Sequence, residues 1–185
     1  MIARLVGSEM CIRDRFLASM METVEDIPRE AIMSGLPWDW EQYGEYLSSI
    51  SEKPTAINVA GLVGHSAIRY YVMGDRSFAD QASDEEKEQM AEIVAKSLES
   101  GAFGFSTNRF EPHKAPDGRS IPGTFADPEE LAVISKAVAQ RNGLMQAVGA
   151  TQDVMEAIAD AGSRLLFSFG TKAEPGAGAK SAQWL

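Results

Sequence analysis

The sequence has 185 residues, of which 44% are hydrophobic and 8% aromatic, a composition typical of a soluble globular domain. Its formal net charge of −10 gives a surface that repels nucleic-acid phosphates and anionic lipids, so we expect neither nucleic acid nor a membrane as partner. No apolar run approaches the roughly 18 to 20 residues that cross a bilayer, and the N terminus lacks the order of a signal peptide, which makes the cytoplasm the expected location.

The two ends of the chain differ in composition from the rest. Residues 1–15 mix apolar and charged side chains without a helical or alternating period, so we interpret them as a non-native or disordered segment; an ordinary frayed N terminus is the alternative. Residues 171–185 are rich in Gly, Ala and Lys, which predicts a truncated or disordered tail. The fold is therefore assigned to residues 16–170, and we expect further sequence of the same protein beyond both ends.

A cluster of aromatic side chains follows Pro37, where we predict the start of a helix with Asp39 near its first turn. Its members are Trp38, Trp40, Tyr43 and Tyr46. This spacing favours burial against the rest of the fold, and a platform for a substrate is the alternative.

The first strand and the long helix after it are predicted from an apolar run and a capping pattern. Residues 57–63 are short, apolar and branched enough for a buried strand. Ser83 and Glu86 have the spacing of a capping box, in which each side chain pairs with a free backbone amide at the helix start. Gly101 ends this helix, and residues 102–106 form the next short strand.

The same order of elements then repeats twice more. Residues 127–130, Asp-Pro-Glu-Glu, supply a cap, a first-turn proline and acidic side chains where the helix dipole favours them. Asn142 and Gly143 end this helix, and Leu144–Val148 is a third strand. Thr151 caps another helix, after which residues 165–169 form a fourth strand.

Apolar strands that alternate with amphipathic helices predict an α/β fold with a parallel sheet, because parallel strands need a crossover connection. A barrel and a doubly wound sheet both have this order of elements. A complete eight-unit barrel needs about 250 residues, and this chain supplies about four parallel βα units. We therefore predict a partial TIM-like (βα) barrel, with a free-standing flavodoxin-like domain as the alternative.

Polar side chains follow the first predicted strand, at the edge where parallel α/β proteins bind their ligands. His65 can act there as a general base or a metal ligand, and we predict it to be catalytic. Arg69, one turn later, can bind a substrate carboxylate through two hydrogen bonds. The alternative is that His65 is a hydrogen-bonded residue that fixes the loop.

The second predicted strand leads into a long polar loop, residues 110–123. Ser106 and Arg109 lie before it and His113 within it, and we predict that all three bind substrate. Loops longer than about 12 residues are uncommon in compact domains unless they form lids or binding loops. A loop that is only solvated is the alternative, and Asp117-Gly118 is predicted to be a turn.

Several catalytic motifs are missing from the sequence. Residues 64–68, Gly-His-Ser-Ala-Ile, have isoleucine where a nucleophile elbow needs its last glycine, and residues 61–66 are too short for a phosphate-binding loop. The chain has two histidines far apart, one cysteine and neither an HxH nor an HExxH motif, so we predict no metal ligand set in it.

Two neighbouring segments carry a resemblance to a known family. Residues 58–69, Asn-Val-Ala-Gly-Leu-Val-Gly-His-Ser-Ala-Ile-Arg, and residues 72–74, Val-Met-Gly, resemble the corresponding stretch of the N-acyl-D-amino-acid deacylases of the amidohydrolase superfamily. The resemblance continues in the same order at residues 83–86, 101–107 and 129–131, and a subgroup is also similar at residues 21–28, 36–40, 113, 117–119 and 121–123. It covers roughly residues 16–169.

This resemblance implies a barrel in which a divalent metal, zinc in the parent family, activates the water that attacks the amide carbonyl of an N-acylated amino acid. The HxH and Asn-Cys-Gly ligand motifs would lie before Phe16, and the catalytic aspartate beyond Leu185. The strand-end histidine ligands of typical members align with Val148 and Phe169, neither of which binds metal. The resemblance therefore implies either a different metal site or changed chemistry.

We expect the parent protein to hydrolyse a C–N amide bond of a small N-acylated amino acid, and this chain by itself to be inactive. His65 and Arg69 would help to shape the pocket, whereas Arg109 and His113 would contact the substrate carboxylate or acyl group. A non-catalytic α/β binding or scaffold protein descended from an amidohydrolase is the alternative, which the missing ligands favour.

Overall fold

The computed structural model describes residues 10–40, 42–53 and 56–168. The helices are α1 (Met10–Glu25), α2 (Arg29–Gly35), α3 (Tyr43–Ser51), α4 (His65–Met73), α5 (Asp84–Glu99), α6 (Pro128–Ala139) and α7 (Gln152–Asp160), with a 3-10 helix at Gly74–Phe78. The strands are β1 (Leu62–Gly64), β2 (Gly104–Asn108), β3 (Leu144–Val148) and β4 (Arg164–Ser168).

The predictions for residues 1–9 and 171–185 fall outside the described ranges, whereas α1 begins inside the segment interpreted as non-native. None of the helices in these ranges has the length and apolar character needed to span a bilayer, and the expected cytoplasmic location stays a prediction.

The strands form one parallel sheet in the order β1-β2-β3-β4, so each strand lies beside its successor in the chain. A doubly wound sheet, including the flavodoxin-like alternative, reverses its strand order at a switch point, whereas a barrel adds its strands in chain order. The helix α4 packs against β2, α6 against β3 and α7 against β4. The predicted α/β fold, a partial TIM-like barrel of about four βα units, is confirmed.

The two faces of the sheet differ in burial, because successive side chains along a strand point to opposite faces. Phe105, Thr107 and Met145 are fully buried on the face that the helices cover. Apart from Gly104, the residues that alternate with them are half-buried or exposed. This open face consists of Ser106, Asn108, Gln146, Val148, Leu166 and Ser168. In a closed barrel, the corresponding face lines the interior.

The helix caps predicted at Ser83 and Asp127 are confirmed, whereas Thr151 lies at the N-cap of α7 without a capping hydrogen bond from its side chain. The Ser83 hydroxyl accepts the backbone N–H of Glu86, and the Glu86 carboxylate accepts the backbone N–H of Ser83, so α5 begins with a capping box. The Asp127 carboxylate accepts the backbone N–H of Glu130 at the start of α6, and Pro128 lies in the first turn of this helix. These signals are local, which is why they can be read from the sequence.

The prediction for the first strand is wrong in its bounds. The strand β1 contains only Leu62–Gly64, and Ile57 and Val59 before it are 74% and 43% exposed. Because β1 pairs with β2 over three residues only, starting where Leu62 lies opposite Gly104, the earlier apolar run stays outside the sheet. The helix α4 that follows directly is not predicted by the sequence, since Gly64 at its N-cap has no capping side chain.

The other strands lie close to their predicted positions. The strand β3 has the predicted bounds, Leu144–Val148. The strand β2 covers Gly104–Asn108 and starts two residues later than predicted, because Gly101, with a φ of +110°, and Ala102 still belong to the turn that leaves α5. The strand β4 begins at Arg164, one residue early, and its predicted last residue lies outside the described ranges.

The aromatic cluster packs in the core, as its spacing predicts. Trp40, Tyr43 and Tyr46 are 4%, 2% and 4% exposed, which agrees with packing and not with a substrate platform. The predicted start of the helix is wrong, since α3 begins at Tyr43 with Gln42 at its N-cap. Trp38 has a φ of +55°, a left-handed conformation that does not continue a helix.

Candidate functional site

The predicted site residues lie where β1 and β2 reach the carboxyl edge of the sheet. His65 directly follows β1, and Ser106 and Arg109 lie near the end of β2 and just beyond it. Carboxyl ends of neighbouring parallel strands meet at one edge, the usual ligand-binding side of such folds. The structure separates the residues at this edge, because His65 lies on the helix-covered side and Ser106 belongs to the open face.

His65 is the centre of a buried hydrogen-bond network. Its Nε2 lies 2.7 Å from Oε1 of Glu130, and because a carboxylate oxygen only accepts, Nε2 carries a proton. Its Nδ1 lies 2.9 Å from Oγ1 of Thr107, whose hydroxyl can donate to it. The side chain is 1% exposed, and both of its ring nitrogens are occupied. This geometry agrees with the alternative interpretation, a hydrogen-bonded residue that fixes its surroundings.

Arg69 belongs to the same network and is held by protein oxygens. Its Nε donates to both carboxylate oxygens of Glu130, at 3.0 and 3.3 Å. One terminal nitrogen donates to the carbonyl of Ser77 at 2.5 Å, and the other to the carbonyl of Asp80 at 2.7 Å. Burial lowers the pKa of Arg69 from its usual value, and the Glu130 charge opposes that shift. With its three nitrogens engaged and 2% of its surface exposed, Arg69 serves the fold in this structure.

Sequence reasoning missed Glu130, which joins His65 to Arg69. The residue is fully buried, and its position in the first turn of α6 is fixed by the Asp127 cap. The sequence shows an acidic side chain at a helix start, which is equally expected of a solvent-exposed residue that complements the helix dipole. Only its hydrogen bonds to His65 and Arg69, two residues of α4, reveal that this carboxylate points into the core. We call His65, Arg69, Thr107 and Glu130 the His65 network.

The long loop after β2 is folded into a hairpin. We call residues 109–126 the rim loop. Lys114 and Ser120 pair as a short antiparallel bridge, and the backbone N–H of Gly118 donates to the carbonyl of Ala115 at 2.9 Å. Gly118 has a φ of +86°, and Asp117 accepts the backbone N–H two residues later, so the predicted turn at this position is confirmed.

The rim loop is anchored to the start of α4. The Ser66 hydroxyl donates to the carbonyl of Pro122 at 2.8 Å. Gly123 lies against the His65 ring so closely that a Cβ at this position would be 2.6 Å from Nδ1. The loop that carries predicted substrate-binding residues therefore rests directly on the His65 network.

Arg109 contributes a further anchor at the beginning of the rim loop. Its guanidinium donates to the carbonyl of Ala126 at 2.7 Å and, more weakly, to the carbonyl of Gly123 at 3.4 Å. Burial lowers the pKa of Arg109 from its usual value, and the nearby Asp153 carboxylate opposes the shift. Arg109 is half-buried at the edge, so it ties the loop ends together and leaves part of its surface open.

His113 is bound to the end of β2. The side-chain amide of Asn108 approaches Nδ1 of His113 to 2.6 Å, and the Phe110 ring packs edge-on against the imidazole with centroids 5.0 Å apart. Since Asn108 belongs to the open face, this contact brings the imidazole next to that face. Sequence reasoning found His113 but missed Asn108, whose role depends on the fold of the loop.

Ser106 lies on the open face and pairs with the next strand. Its hydroxyl donates to Oε1 of Gln146 at 3.0 Å, and the two residues are direct partners in the parallel register. Both side chains are half-buried. Hydroxyl and amide groups in such a position can bind a carbonyl or carboxylate oxygen through hydrogen bonds.

The metal implied by the family resemblance does not fit the described residues. Within the described ranges, no three His, Cys, Asp or Glu side chains lie close enough together to hold an ion. Val148 puts an apolar side chain at the end of β3, and Phe169, the other position aligned with a histidine ligand, lies outside these ranges.

Comparisons with known proteins identify relatives in sequence. No protein-family model matches this chain. The chain is 30% identical over 128 residues to a D-aminoacylase of Alcaligenes xylosoxydans xylosoxydans, covering 69% of this chain and 24% of the relative. An N-acyl-D-aspartate deacylase of the same organism is 31% identical over 123 residues, covering 65% of this chain and 22% of the relative. The chain thus spans about a quarter of the length of the curated relatives that it matches.

Solved structures show the same fold. A D-aminoacylase mutant in complex with CuCl2 matches with a TM-score of 0.60 at 22% identity, covering 78% of this chain and 31% of that one. An N-acyl-D-glutamate deacylase from Bordetella bronchiseptica, complexed with zinc and a phosphonate inhibitor, gives a TM-score of 0.59 at 22% identity, covering 78% and 32%. In both cases the match spans about a third of the solved chain.

Proposed function

Because this chain is a homologue of the D-aminoacylases and N-acyl-D-amino-acid deacylases of the amidohydrolase family, we propose that the protein to which it belongs hydrolyses amide bonds. The substrate is a small N-acylated D-amino acid, and water converts it into a carboxylic acid and the free D-amino acid. The observation that carries this proposal is the 30% identity to a D-aminoacylase over 128 residues.

The carboxyl edge of the sheet supports this proposal. Ser106, Arg109 and His113 bring a hydroxyl, a guanidinium and an imidazole to one edge, and we assign them to binding the substrate. An N-acylated amino acid has one carboxylate and one amide carbonyl, both of which accept hydrogen bonds. Donors of this kind fix the orientation of a small ligand in a barrel mouth.

We assign a shaping role to His65 and Arg69. A catalytic His65 would have to leave a position in which Thr107 and Glu130 occupy both of its nitrogens. Arg69 would have to give up hydrogen bonds that balance its buried charge. Both residues act on the substrate through the rim loop, which rests on the His65 ring at Gly123. The catalytic role predicted for His65 therefore gives way, in this proposal, to a positioning role.

We also propose that the parent protein holds a divalent metal, with zinc as the expected ion. Structural neighbours of the chain have been solved with copper and with zinc. The described residues of this chain offer no ligand set for it.

A second candidate is a non-catalytic binding or scaffold protein descended from an amidohydrolase. The observation in its favour is Val148, an apolar residue at the strand end where the resemblance places a histidine ligand. Such a protein would keep the polar edge formed by Ser106 and His113 and could bind N-acylated amino acids without turnover.

Turnover and metal content of the parent protein distinguish the two candidates. Release of free amine from N-acetyl-D-glutamate, N-acetyl-D-aspartate and N-acetyl-D-leucine is measured, with the L enantiomers as controls, and bound metal is quantified in the same preparation. A deacylase releases D-amino acids and contains about one divalent ion or more per chain. Binding of these compounds without turnover and without metal would overturn the hydrolase proposal in favour of the second candidate.

A further inference from the structure

The side-chain amide of Asn108, the last residue of β2, connects the open face to the rim loop. Its Oδ1 accepts a hydrogen bond from the backbone N–H of Phe110 at 2.9 Å. Its Nδ2 lies 2.6 Å from Nδ1 of His113. Both contacts lie where the rim loop leaves the strand.

The first of these hydrogen bonds determines which end of the amide faces the imidazole. A backbone N–H only donates, so the amide oxygen of Asn108 faces Phe110 and the NH2 group faces His113. An amide NH2 group also only donates, so Nδ1 of His113 accepts with its lone pair. A neutral imidazole that accepts at Nδ1 carries its proton on Nε2.

Further contacts hold the ring in this position. The backbone N–H of His113 donates to the carbonyl of Phe110 at 3.0 Å, which closes a tight turn between the two rings. In the part of the chain that the structure describes, Nε2 of His113 has no hydrogen-bond partner. The residue is half-buried, so this nitrogen can meet a ligand at the carboxyl edge.

We propose that Asn108 is a positioning residue that keeps His113 in the neutral Nε2–H form, so that His113 offers an N–H donor to a carboxylate or carbonyl oxygen. In this form Nδ1 is occupied and Nε2 carries a proton, so the ring is neither a metal ligand nor a general base. The identity of the ligand as an N-acylated amino acid rests on the proposed function. The protonation form of the His113 ring does not depend on the proposed function.

Long-range 1H–15N NMR spectra of the complete chain show directly which imidazole nitrogen is protonated. The chain has two histidines, and His113→Gln assigns the signals by removing one set. We expect His113 to show a protonated Nε2 and an unprotonated Nδ1. A protonated Nδ1, or two nitrogens with averaged signals, would overturn the assignment.

Two variants test whether Asn108 is the cause. Asn108→Asp keeps the shape of the side chain but replaces the donor by an oxygen that only accepts, so Nδ1 of His113 should become protonated. Asn108→Ala removes the hydrogen-bond partner of Nδ1, so the two tautomers of His113 should exchange and give averaged nitrogen signals. This variant tests the role of Asn108 even if the aspartate variant does not fold. Asn142→Asp, the same change at an exposed position, is the control and should leave His113 unchanged. An Nδ1 of His113 that stays unprotonated in both Asn108 variants would overturn the positioning role.

Titration of N-acetyl-D-glutamate into the complete chain tests the donor role. We expect the Nε2–H signal of His113 to shift, and His113→Leu to weaken binding about tenfold, which corresponds to the loss of one hydrogen bond. His113→Gln keeps an N–H donor and should weaken binding less. An unchanged His113 signal, or equal affinities of His113→Leu and the wild type, would overturn the donor role. If the parent protein shows no turnover but the His113 signal still shifts during the titration, the proposed hydrolase function is contradicted and the donor role of His113 is not.

Discussion

Nε2 of His65 lies 2.7 Å from Oε1 of Glu130, although 65 residues separate the two in the sequence and neither side chain is more than 1% exposed. The same carboxylate accepts the Nε–H of Arg69 at 3.0 Å. A buried carboxylate shared between an imidazole and a guanidinium connects β1, α4 and α6 below the carboxyl edge. Because the rim loop rests on His65, this connection also determines where the loop lies.

Glu130→Ala removes the acceptor that His65 and Arg69 share. We expect the free energy of unfolding to fall by about 3–5 kcal/mol, because Arg69 stays buried without its carboxylate. Urea denaturation of the full chain measures this loss. Glu129→Ala is the matched control, since the neighbouring carboxylate is 72% exposed and pairs with Lys87, so its loss should stay below about 1 kcal/mol. Equal losses in the two variants would show that the buried contact does not stabilise this edge.

Gly123→Ala tests the contact between the rim loop and the His65 network. Gly123 has a φ of +92° and its Cβ would lie 2.6 Å from the His65 ring, whereas Gly118 has a φ of +86° and nothing within 4 Å. Gly118→Ala therefore measures the backbone strain by itself, about 1–2 kcal/mol. We expect Gly123→Ala to cost about 1–3 kcal/mol more in the free energy of unfolding, because the added Cβ overpacks the site. A cost no larger than that of Gly118→Ala would contradict the packing of the loop on His65.

Ser106 and Thr107 are neighbours on opposite faces of β2, and their variants should separate binding from stability. In the parent protein, Ser106→Ala should raise the KM for an N-acyl-D-amino acid by about 2-fold to 10-fold, because one hydrogen bond of the open face is lost. Thr107→Val should instead lower the free energy of unfolding by about 1–3 kcal/mol, because Nδ1 of His65 loses its buried partner. Kinetics and urea denaturation of both variants check this. A KM effect confined to Thr107→Val would contradict the assignment of the open face as the binding side.

Tyr46 should make stability depend on alkaline pH. Burial, followed by the neighbouring Tyr43, raises the pKa of Tyr46 from its usual value of 10.0 to about 12. The unfolded chain therefore loses this proton at lower pH than the folded chain, so the stabilising contribution is complete below pH 10 and is lost as the pH rises towards 12. Thermal melts across this range should show a falling Tm in the wild type and a weaker decline in Tyr46→Phe. Tyr71→Phe, a half-buried tyrosine outside the aromatic cluster, serves as the control. An unaltered decline in Tyr46→Phe would contradict the assignment.

Features set by neighbouring residues could be predicted from the sequence. The caps at Ser83 and Asp127 need only a few adjacent residues, and both helices start where the pattern indicates. The strand Leu144–Val148 could also be predicted, because an Asn-Gly pair, which is typical of a helix end, directly precedes it. The apolar run before β1 led to a wrong strand boundary. Ile57 is of a residue type that favours strands, but it is exposed and lies outside the sheet.

The candidate site could be predicted only in part, because its partners are distant in the sequence. The position of His65 after a strand was recognisable, but its role depends on Thr107 and Glu130, which are 42 and 65 residues away. His113 was recognisable as a loop histidine. Its partner Asn108 was not, because the turn at Phe110 that brings them together is visible only in the structure.

Hydrolysis of N-acyl-D-amino acids by the parent protein tests the central claim most directly. Release of the free D-amino acid is measured for the wild type and for Ser106→Ala, with Glu92→Gln as a control at an exposed position away from the open face. The account predicts stereoselective turnover of the D compounds, an increased KM in Ser106→Ala and unchanged kinetics in Glu92→Gln. Absence of turnover with every D compound, in a folded parent protein supplied with zinc, would contradict it.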